Sequence, residues 1–324
     1  MHETTVLGKG LTQALYGRGP RFSYMLECGG GTTAAMHEVQ RYPADYDGVV
    51  VGGFAAYWTR QVFAQAWAWQ AANQTPESVI PPAKFPIIHN AVLEACDALD
   101  GVRDGLLEDP TKCTWDPKAI QCSAGDGASC LTGAQADTVR RLYAGPTNPR
   151  TGQKIHSPVY RGSELDWGTL IGGPTPIANN AMRDFVMADP MWDIRTTPVN
   201  FDSDVTRADR PEITMINAFN PDISKYVSEG GKLILTGGWG NAIVPPGAIV
   251  DYYSNVQGQL GARATQDAVR LYMVPGMSEC NGGPGTDTFD MFAAMREWVE
   301  QGRAPQEIRA SRVENGKVVR ITCK

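Results

Sequence analysis

Three aspartates in one glycine-broken loop form a cluster of side chains with a clear chemical use. Asp97, Asp100 and Asp104 are spaced by three and four residues, and Gly101 and Gly105 interrupt the loop. Carboxylate oxygens arranged in this way suit a hard cation such as Ca²⁺. The spacing is not that of an EF-hand, which places ligands at every second position and a glutamate at the twelfth. From the spacing alone, an acidic surface turn explains the loop equally well.

A second candidate site is a glycine-rich turn, 27–31, that follows a short apolar segment and precedes a helical one. An α/β-hydrolase carries its nucleophile on such a turn, its acid after a later strand and its histidine after the last strand. The corresponding segments here are 238–246 and 273–280, and the centre of the turn is Gly29. The four histidines are His2, His37, His89 and His156. The part of the chain where the base must lie therefore has no imidazole, and triad acyl transfer has neither nucleophile nor base.

The elements that must position these residues follow a βα rhythm. The periodicity predicts a helix over 5–16, a strand over 22–26, a helix over 32–41 and a strand over 47–51, which form a βαβ unit. Further elements are predicted at 231–236, 246–255, 269–273 and 289–301. The chain therefore belongs to the α/β class with a mostly parallel sheet of four core strands. The intervening segment, rich in Trp, Pro and Gly, predicts an inserted lid, so the domains are 1–56 (core), 57–222 (lid) and 223–324 (core).

Composition excludes some functions. The 324 residues carry a net charge of -6, which argues against nucleic acid as a partner, and no apolar run approaches the roughly 20 residues of a membrane span. Seven cysteines, four of them clustered as Cys96/Cys113 and Cys122/Cys130, are typical of exported proteins. The residues after Met1 nevertheless predict a helix and not a signal peptide. The sequence therefore does not specify the cellular compartment. We expect that an N-terminal segment is missing from this chain.

Three motifs in this order resemble the tannase/feruloyl esterase family, which includes the terephthalate-monoester hydrolases. The stretches 23–31 and 41–52 are similar to the family's SYxxGCSxGGR and RYPxDFDGIVAG. The stretches 230–246 and 273–285 are similar to GGKLILYHGWADPLIPP and MVPGMGHCGGGPG. The resemblance covers nearly the whole chain, and it implies an α/β-hydrolase fold with a large lid. It also implies descent from a carboxylic ester hydrolase for aromatic, gallate- or ferulate-like, esters.

All three catalytic positions of the family are substituted. Its serine falls on Gly29, its aspartate on Asn241 and its histidine on Glu279. We therefore expect no triad hydrolysis, and plain decay of the site is one interpretation. Another is a repurposed lyase, isomerase or cyclase in which Glu27 and Glu279 act as acid and base. A third is a calcium-stabilised pseudoenzyme that binds a small aromatic ligand.

The resemblance also implies a calcium site and a disulfide pattern. In the family the calcium ligands fall on the aspartates 97, 100 and 104 and on the backbone carbonyls of Val102 and Leu106, all of which are present. The expected disulfides are Cys28–Cys280, Cys96–Cys113 and Cys122–Cys130. The first would leave no thiol at Cys28, and Cys323 is left over. The lid aromatics that could stack on an aromatic ester are Trp58, Trp67, Trp69, Tyr160, Trp167 and Trp192.

The family's core has further strands, and a loop that donates to the oxyanion hole, before the nucleophile strand. This chain begins one helix before that strand, so we expect a sheet that is incomplete on its N-terminal side. An edge strand exposed in this way needs a cover or it aggregates. We therefore expect a partner chain at this edge. Family members are typically secreted.

Overall fold

The computed structural model describes residues 1–323, except for the side chain of Cys323. The prediction that Cys323 has no disulfide partner therefore lies outside the described residues. The central sheet has four parallel strands in the order β1-β2-β3-β4. Their bounds are β1 Tyr24–Cys28, β2 Gly48–Gly52, β3 Lys232–Gly238 and β4 Val269–Val274. The four predicted core strands are therefore present, each within two residues of its predicted start. No helix in the described range is both long and apolar enough to cross a membrane.

Helices cover both faces of this sheet, and others form the segment predicted as a lid. The helices of the described residues, in chain order, are α1 His2–Tyr16, α2 Thr32–Arg41, α3 Trp58–Ala72, α4 Phe85–Cys96, α5 Gly133–Ala144, α6 Trp167–Ile171, α7 Pro176–Ala181, α8 Ser203–Ala208, α9 Pro211–Thr214, α10 Ser224–Ser228, α11 Gly247–Leu260, α12 Ala262–Ala268 and α13 Met291–Gln301. On one face, Val49 and Leu233 belong to a core cluster with residues of α2 and α11. On the other, Val50 and Ile234 pack with Trp298 of α13. Burial on both faces explains why these strands are unbroken apolar runs.

The segment predicted as a lid has cores of its own. One centres on Trp167 and the helices α4 and α5, and another on Met182 and Trp192. The chain enters and leaves this region at adjacent points, because the amide of Ala218 donates to the carbonyl of Ala56 at 3.0 Å. Such adjacent ends are typical of an inserted domain.

A three-stranded antiparallel sheet near the C-terminus was missed from the sequence. It consists of β5 Thr288–Phe289, β6 Arg309–Glu314 and β7 Lys317–Cys323. The turn between β6 and β7 is Asn315-Gly316, with φ values of 50° and 75°. An Asn-Gly pair at positive φ is the preferred two-residue hairpin turn, so the sequence did carry a signal. The last helix was predicted to begin at residue 289. It begins at Met291, because Phe289 belongs to β5.

The edge of the sheet formed by β1 has no strand partner within the described residues. The neighbouring helix α1 lies against the segment 44–46 through polar contacts, and its leucines Leu7, Leu11 and Leu15 are 62–76% exposed. A helix usually buries such a stripe. The partner chain expected at this edge stays a prediction.

Candidate functional site

The turn after β1 keeps the backbone shape of a nucleophile elbow. Strand β1 runs into a single 3₁₀ turn, Gly29–Gly31, and then into α2. Gly29 has a φ of 65°, in the left-handed region that costs a residue with a β-carbon about 1–2 kcal/mol. A glycine adopts this conformation without that cost. Gly29 therefore forms this turn without backbone strain, and it offers no side-chain oxygen.

The second predicted position, Asn241, is 2% exposed and lies in the loop after β3. Its Oδ1 accepts hydrogen bonds from the amides of Ile243 and Val244, at 3.0 and 2.9 Å. A carboxylate could accept the same two bonds. Asn241 therefore preserves the shape of an acid loop without its charge.

The third predicted position, Glu279, lies in the loop after β4, and two sets of contacts place it. The backbone of the acid loop bonds directly to this loop, because the Gly240 amide donates to the Met277 carbonyl at 2.9 Å. The disulfide Cys28–Cys280 then joins the loop to the elbow, with a Cα–Cα distance of 5.9 Å. Glu279 is thus held beside Gly29 by one covalent and several backbone links.

The three predicted triad positions meet around two glycines. A β-carbon on Gly29 would lie 3.0 Å from Glu279 Oε1. A β-carbon on Gly53, which follows β2, would lie 3.0 Å from Glu279 Cγ and 3.8 Å from Asn241 Nδ2. The side chain of Glu279 therefore extends between the elbow and the acid loop. Gly53 leaves the space that the side chains of Glu279 and Asn241 use. The sequence analysis did not identify this role, although the pair Gly52-Gly53 at the end of a buried strand was a signal for it.

Burial raises the pKa of the Glu279 carboxyl above its ordinary value, and no charged neighbour contributes to the shift. Glu27 and Glu279 both line a cavity of about 320 Å³ beside Phe289 and Phe292. Gly29 lines a separate cleft, which Glu279 also borders and Glu27 does not. An acid–base role of Glu27 and Glu279 stays a prediction.

The cleft beside Gly29 has a volume of about 510 Å³ and lies between the core and the lid. Gly29, Thr33 and His37 line it from the core, and Trp58 and Ile177 from the lid. Of the six lid aromatics considered for stacking, Trp58 alone borders this cleft. Trp167 and Trp192 belong to the lid cores, and Tyr160 packs edge-on against Trp239.

His37 is a cleft residue that the sequence did not single out. It follows Thr33 by four residues on α2, so the two share one helix face. Its Nε2 donates to the carbonyl of Ile216 at 3.2 Å, and its Nδ1 is buried without a partner among the described residues. Burial, with a smaller effect of Arg41, lowers the pKa of His37. The lowered pKa favours the neutral imidazole, and its Nδ1 is shielded from solvent.

The loop predicted to bind calcium is closed by hydrogen bonds between its own carboxylates and amides. Asp97 accepts from the amides of residues 104 and 105, Asp100 from that of Val102, and Asp104 from that of Leu106. All five predicted donors are oxygens, which fits Ca²⁺. Disulfide Cys96–Cys113 clamps the loop at its start, as predicted, and Cys122–Cys130 is also formed.

One contact of this loop was not predicted. Arg320 of β7 donates to the carbonyl of Asp104 at 2.6 Å, and its guanidinium also lies 3.4 Å from the Asp104 carboxylate. The three loop carboxylates do not have their oxygens gathered within 4.8 Å of one another in the described structure. The donor types fit calcium, and the binding itself stays a prediction.

Comparisons with known proteins agree on one family. Residues 1–323 match the family described as tannase and feruloyl esterase. An uncharacterized esterase of Xanthomonas campestris is 34% identical over 95% of this chain and 61% of its own. A probable feruloyl esterase B-1 of Aspergillus terreus is 32% identical over 97% and 63%. The crystal structure of feruloyl esterase B from Aspergillus oryzae superposes with a TM-score of 0.89 at 28% identity, covering 99% of this chain and 68% of that one. The chain thus spans about three fifths of the length of its curated relatives.

Proposed function

Since the chain belongs to the tannase and feruloyl esterase family and has its α/β-hydrolase fold, we propose that it is a non-hydrolytic member that binds a small aromatic ester or acid. The observation that carries this proposal is the state of the elbow. Its backbone keeps the left-handed turn, but Gly29 supplies no oxygen, and the Glu279 carboxylate lies where a side chain on Gly29 would extend.

The reaction of a serine esterase needs an Oγ nucleophile and an imidazole that removes its proton. The histidine of the cleft, His37, donates through Nε2 to a backbone carbonyl and keeps Nδ1 buried. Glu279 lies in the loop where the resemblance puts the base, and burial raises the pKa of its carboxyl. Without an Oγ at Gly29, a base at this position has no nucleophile to activate.

Binding of a small ligand needs no catalytic group and requires only a cleft, which this chain has beside Gly29. Its volume of about 510 Å³ lies within the range of small-molecule sites. Trp58, Ile177 and Ile243 offer an apolar lining, and a protonated Glu279 could donate a hydrogen bond to a ligand carbonyl. The names of the relatives specify feruloyl esters, so a ferulate-like ring is the ligand class that we propose.

Hydrolysis and binding are tested separately. Purified protein is expected to cleave p-nitrophenyl acetate and methyl ferulate no faster than buffer. Saturable turnover that survives repurification and disappears in Gly29→Val would overturn the first half of the proposal.

Binding of ferulate is measured by quenching of tryptophan fluorescence and by calorimetry. Ile177→Arg, at a lid position that lines the cleft and is 52% exposed, is expected to weaken binding at least about tenfold. Met191→Arg, at an 86% exposed lid position that does not line the cleft, is the matched control. Equal affinity of the two variants would show that the ligand does not occupy this cleft.

A further inference from the structure

Three side chains that take no part in the cleft converge at the start of the chain. His2 of α1, Glu38 of α2 and Asp45 of the loop before β2 each offer one ligand atom, and these atoms lie within 4.8 Å of one another. The His2 Nδ1 and an Asp45 oxygen are 2.6 Å apart. Among the side chains that the structure describes, no other group of three such residues converges in this way.

This cluster contains two buried carboxylates and one unpartnered oxygen. Glu38 is 3% exposed and Asp45 is 7% exposed. The two side chains hydrogen-bond to each other. Glu38 Oε2 nevertheless has no hydrogen-bond partner among the described residues. A buried polar atom without a partner is costly, so this oxygen indicates a missing ligand.

We propose that His2, Glu38 and Asp45 bind a divalent transition-metal ion of the Zn²⁺ class. One imidazole nitrogen and two carboxylate oxygens are a donor set that suits zinc or its neighbours, and the imidazole disfavours calcium and magnesium. Three protein ligands leave a position for water, and the half-exposed His2 gives the ion access from solvent. The unpartnered oxygen of Glu38 could then coordinate the ion, and the positive charge of the ion would offset the charge of the two carboxylates.

The ion would join α1 to the core. This helix otherwise contacts the segment 44–46 through the hydroxyl pair of Thr5 and Tyr46, at 2.7 Å, and through Lys9 Nζ on the Asp45 carbonyl, at 2.5 Å. The His2 ring also stacks on Tyr42 at 3.9 Å. Since the leucines of α1 face solvent, the helix gains little from apolar burial, and a metal that bridges α1, α2 and this segment would supply a strong attachment.

The site is tested by equilibrium dialysis of the whole chain against Zn²⁺ alone, after treatment with chelator, together with thermal unfolding in the presence and absence of Zn²⁺. Wild type is expected to bind one ion with a rise in Tm. His2→Ala and Asp45→Asn are expected to lose this ion or to weaken its binding at least about tenfold, and to lose the rise. Glu3→Gln removes an exposed carboxylate from the adjacent position and should bind like wild type.

Glu38→Gln separates the proposal from a purely structural role of the cluster. This variant removes a buried acid without changing its shape, so the metal-free protein should keep its fold by circular dichroism, while Zn²⁺ no longer raises its Tm. Equal Zn²⁺ binding by wild type and His2→Ala would overturn the proposal. So would a wild-type Tm that Zn²⁺ does not change, because the cluster would then be a hydrogen-bonded anchor only.

Discussion

The Glu279 carboxylate oxygen lies 3.0 Å from the point that a β-carbon on Gly29 would occupy. The two positions are therefore physically linked, because the Glu279 side chain occupies space that a side chain at the elbow would need. A residue larger than glycine at position 29 would meet the Glu279 carboxylate. Positions 29 and 279 thus form one packed unit.

Gly29→Ala is expected to destabilise the fold. The left-handed backbone at this position costs a residue with a β-carbon about 1–2 kcal/mol, and the contact with Glu279 adds to that cost. In a double-mutant cycle with Glu279→Ala, measured by urea unfolding, the contact should appear as a coupling of about 0.5 kcal/mol or more. Gly30→Ala is the control, since its β-carbon would meet no atom within 4 Å. Additive effects would contradict the proposed link.

Glu279→Gln is expected to stabilise the protein in a pH-dependent manner. Burial raises the pKa of Glu279 in the folded state, so the folded protein holds this proton to a higher pH than the unfolded chain does. The wild type therefore loses stability as the pH rises from the unfolded pKa through the folded one. The Tm difference between variant and wild type should be small near pH 4 and larger near pH 7. If the Tm difference becomes smaller from pH 4 to pH 7, the pKa of Glu279 is not raised in the folded state.

Calcium removal is expected to lower the Tm of the wild type. If one Ca²⁺ binds to the folded state alone, a hundredfold excess over Kd stabilises that state by about 2.7 kcal/mol. In Zn²⁺-free buffer with added Ca²⁺, EDTA removes this contribution, and Asp100→Asn should have the same Tm with and without EDTA. Glu94→Gln, at an exposed position one turn before the loop, should respond like wild type. An unchanged wild-type melting curve in EDTA would exclude the site.

Arg320→Gln is expected to tighten calcium binding. The guanidinium of Arg320 lies 3.4 Å from the Asp104 carboxylate, which is one of the proposed ligands, and it competes with the cation for that charge. A surface pair of this kind contributes up to about 1 kcal/mol, so calcium affinity should rise by up to about fivefold. Calorimetric titration with Ca²⁺ gives the comparison. Weaker binding by the variant would mean that Arg320 supports the loop.

The core was predictable from the sequence because each of its signals was local. Strand β2 is a continuous apolar run, and α2 occupies the predicted residues 32–41 without change. The hairpin of β6 and β7 was missed because its strands are mostly exposed, so their apolar residues do not form a buried run. Its signals were the Asn315-Gly316 turn and the β-branched residues Val318, Val319 and Ile321.

The site was predictable in composition and less so in geometry. Positions 29, 241 and 279 followed from motifs, and the structure brings these three residues close together. Their correspondence to catalytic positions stays a prediction. The contact of Arg320 with Asp104 joins residues 216 apart, and no periodicity encodes it. The separation of Glu27 from the cleft depends on which way one side chain leaves the elbow, which the order of residues does not specify.

The disulfide between Cys28 and Cys280 has a topological consequence. The two cysteines are 252 residues apart, so their bond closes a covalent ring that contains the whole lid, the strands β2, β3 and β4, and the last residue of β1. A protease that cuts an exposed lid loop opens this ring without releasing a fragment. Both halves migrate as one species until a reductant is added, and the two walls of the cleft stay attached to each other after the cut.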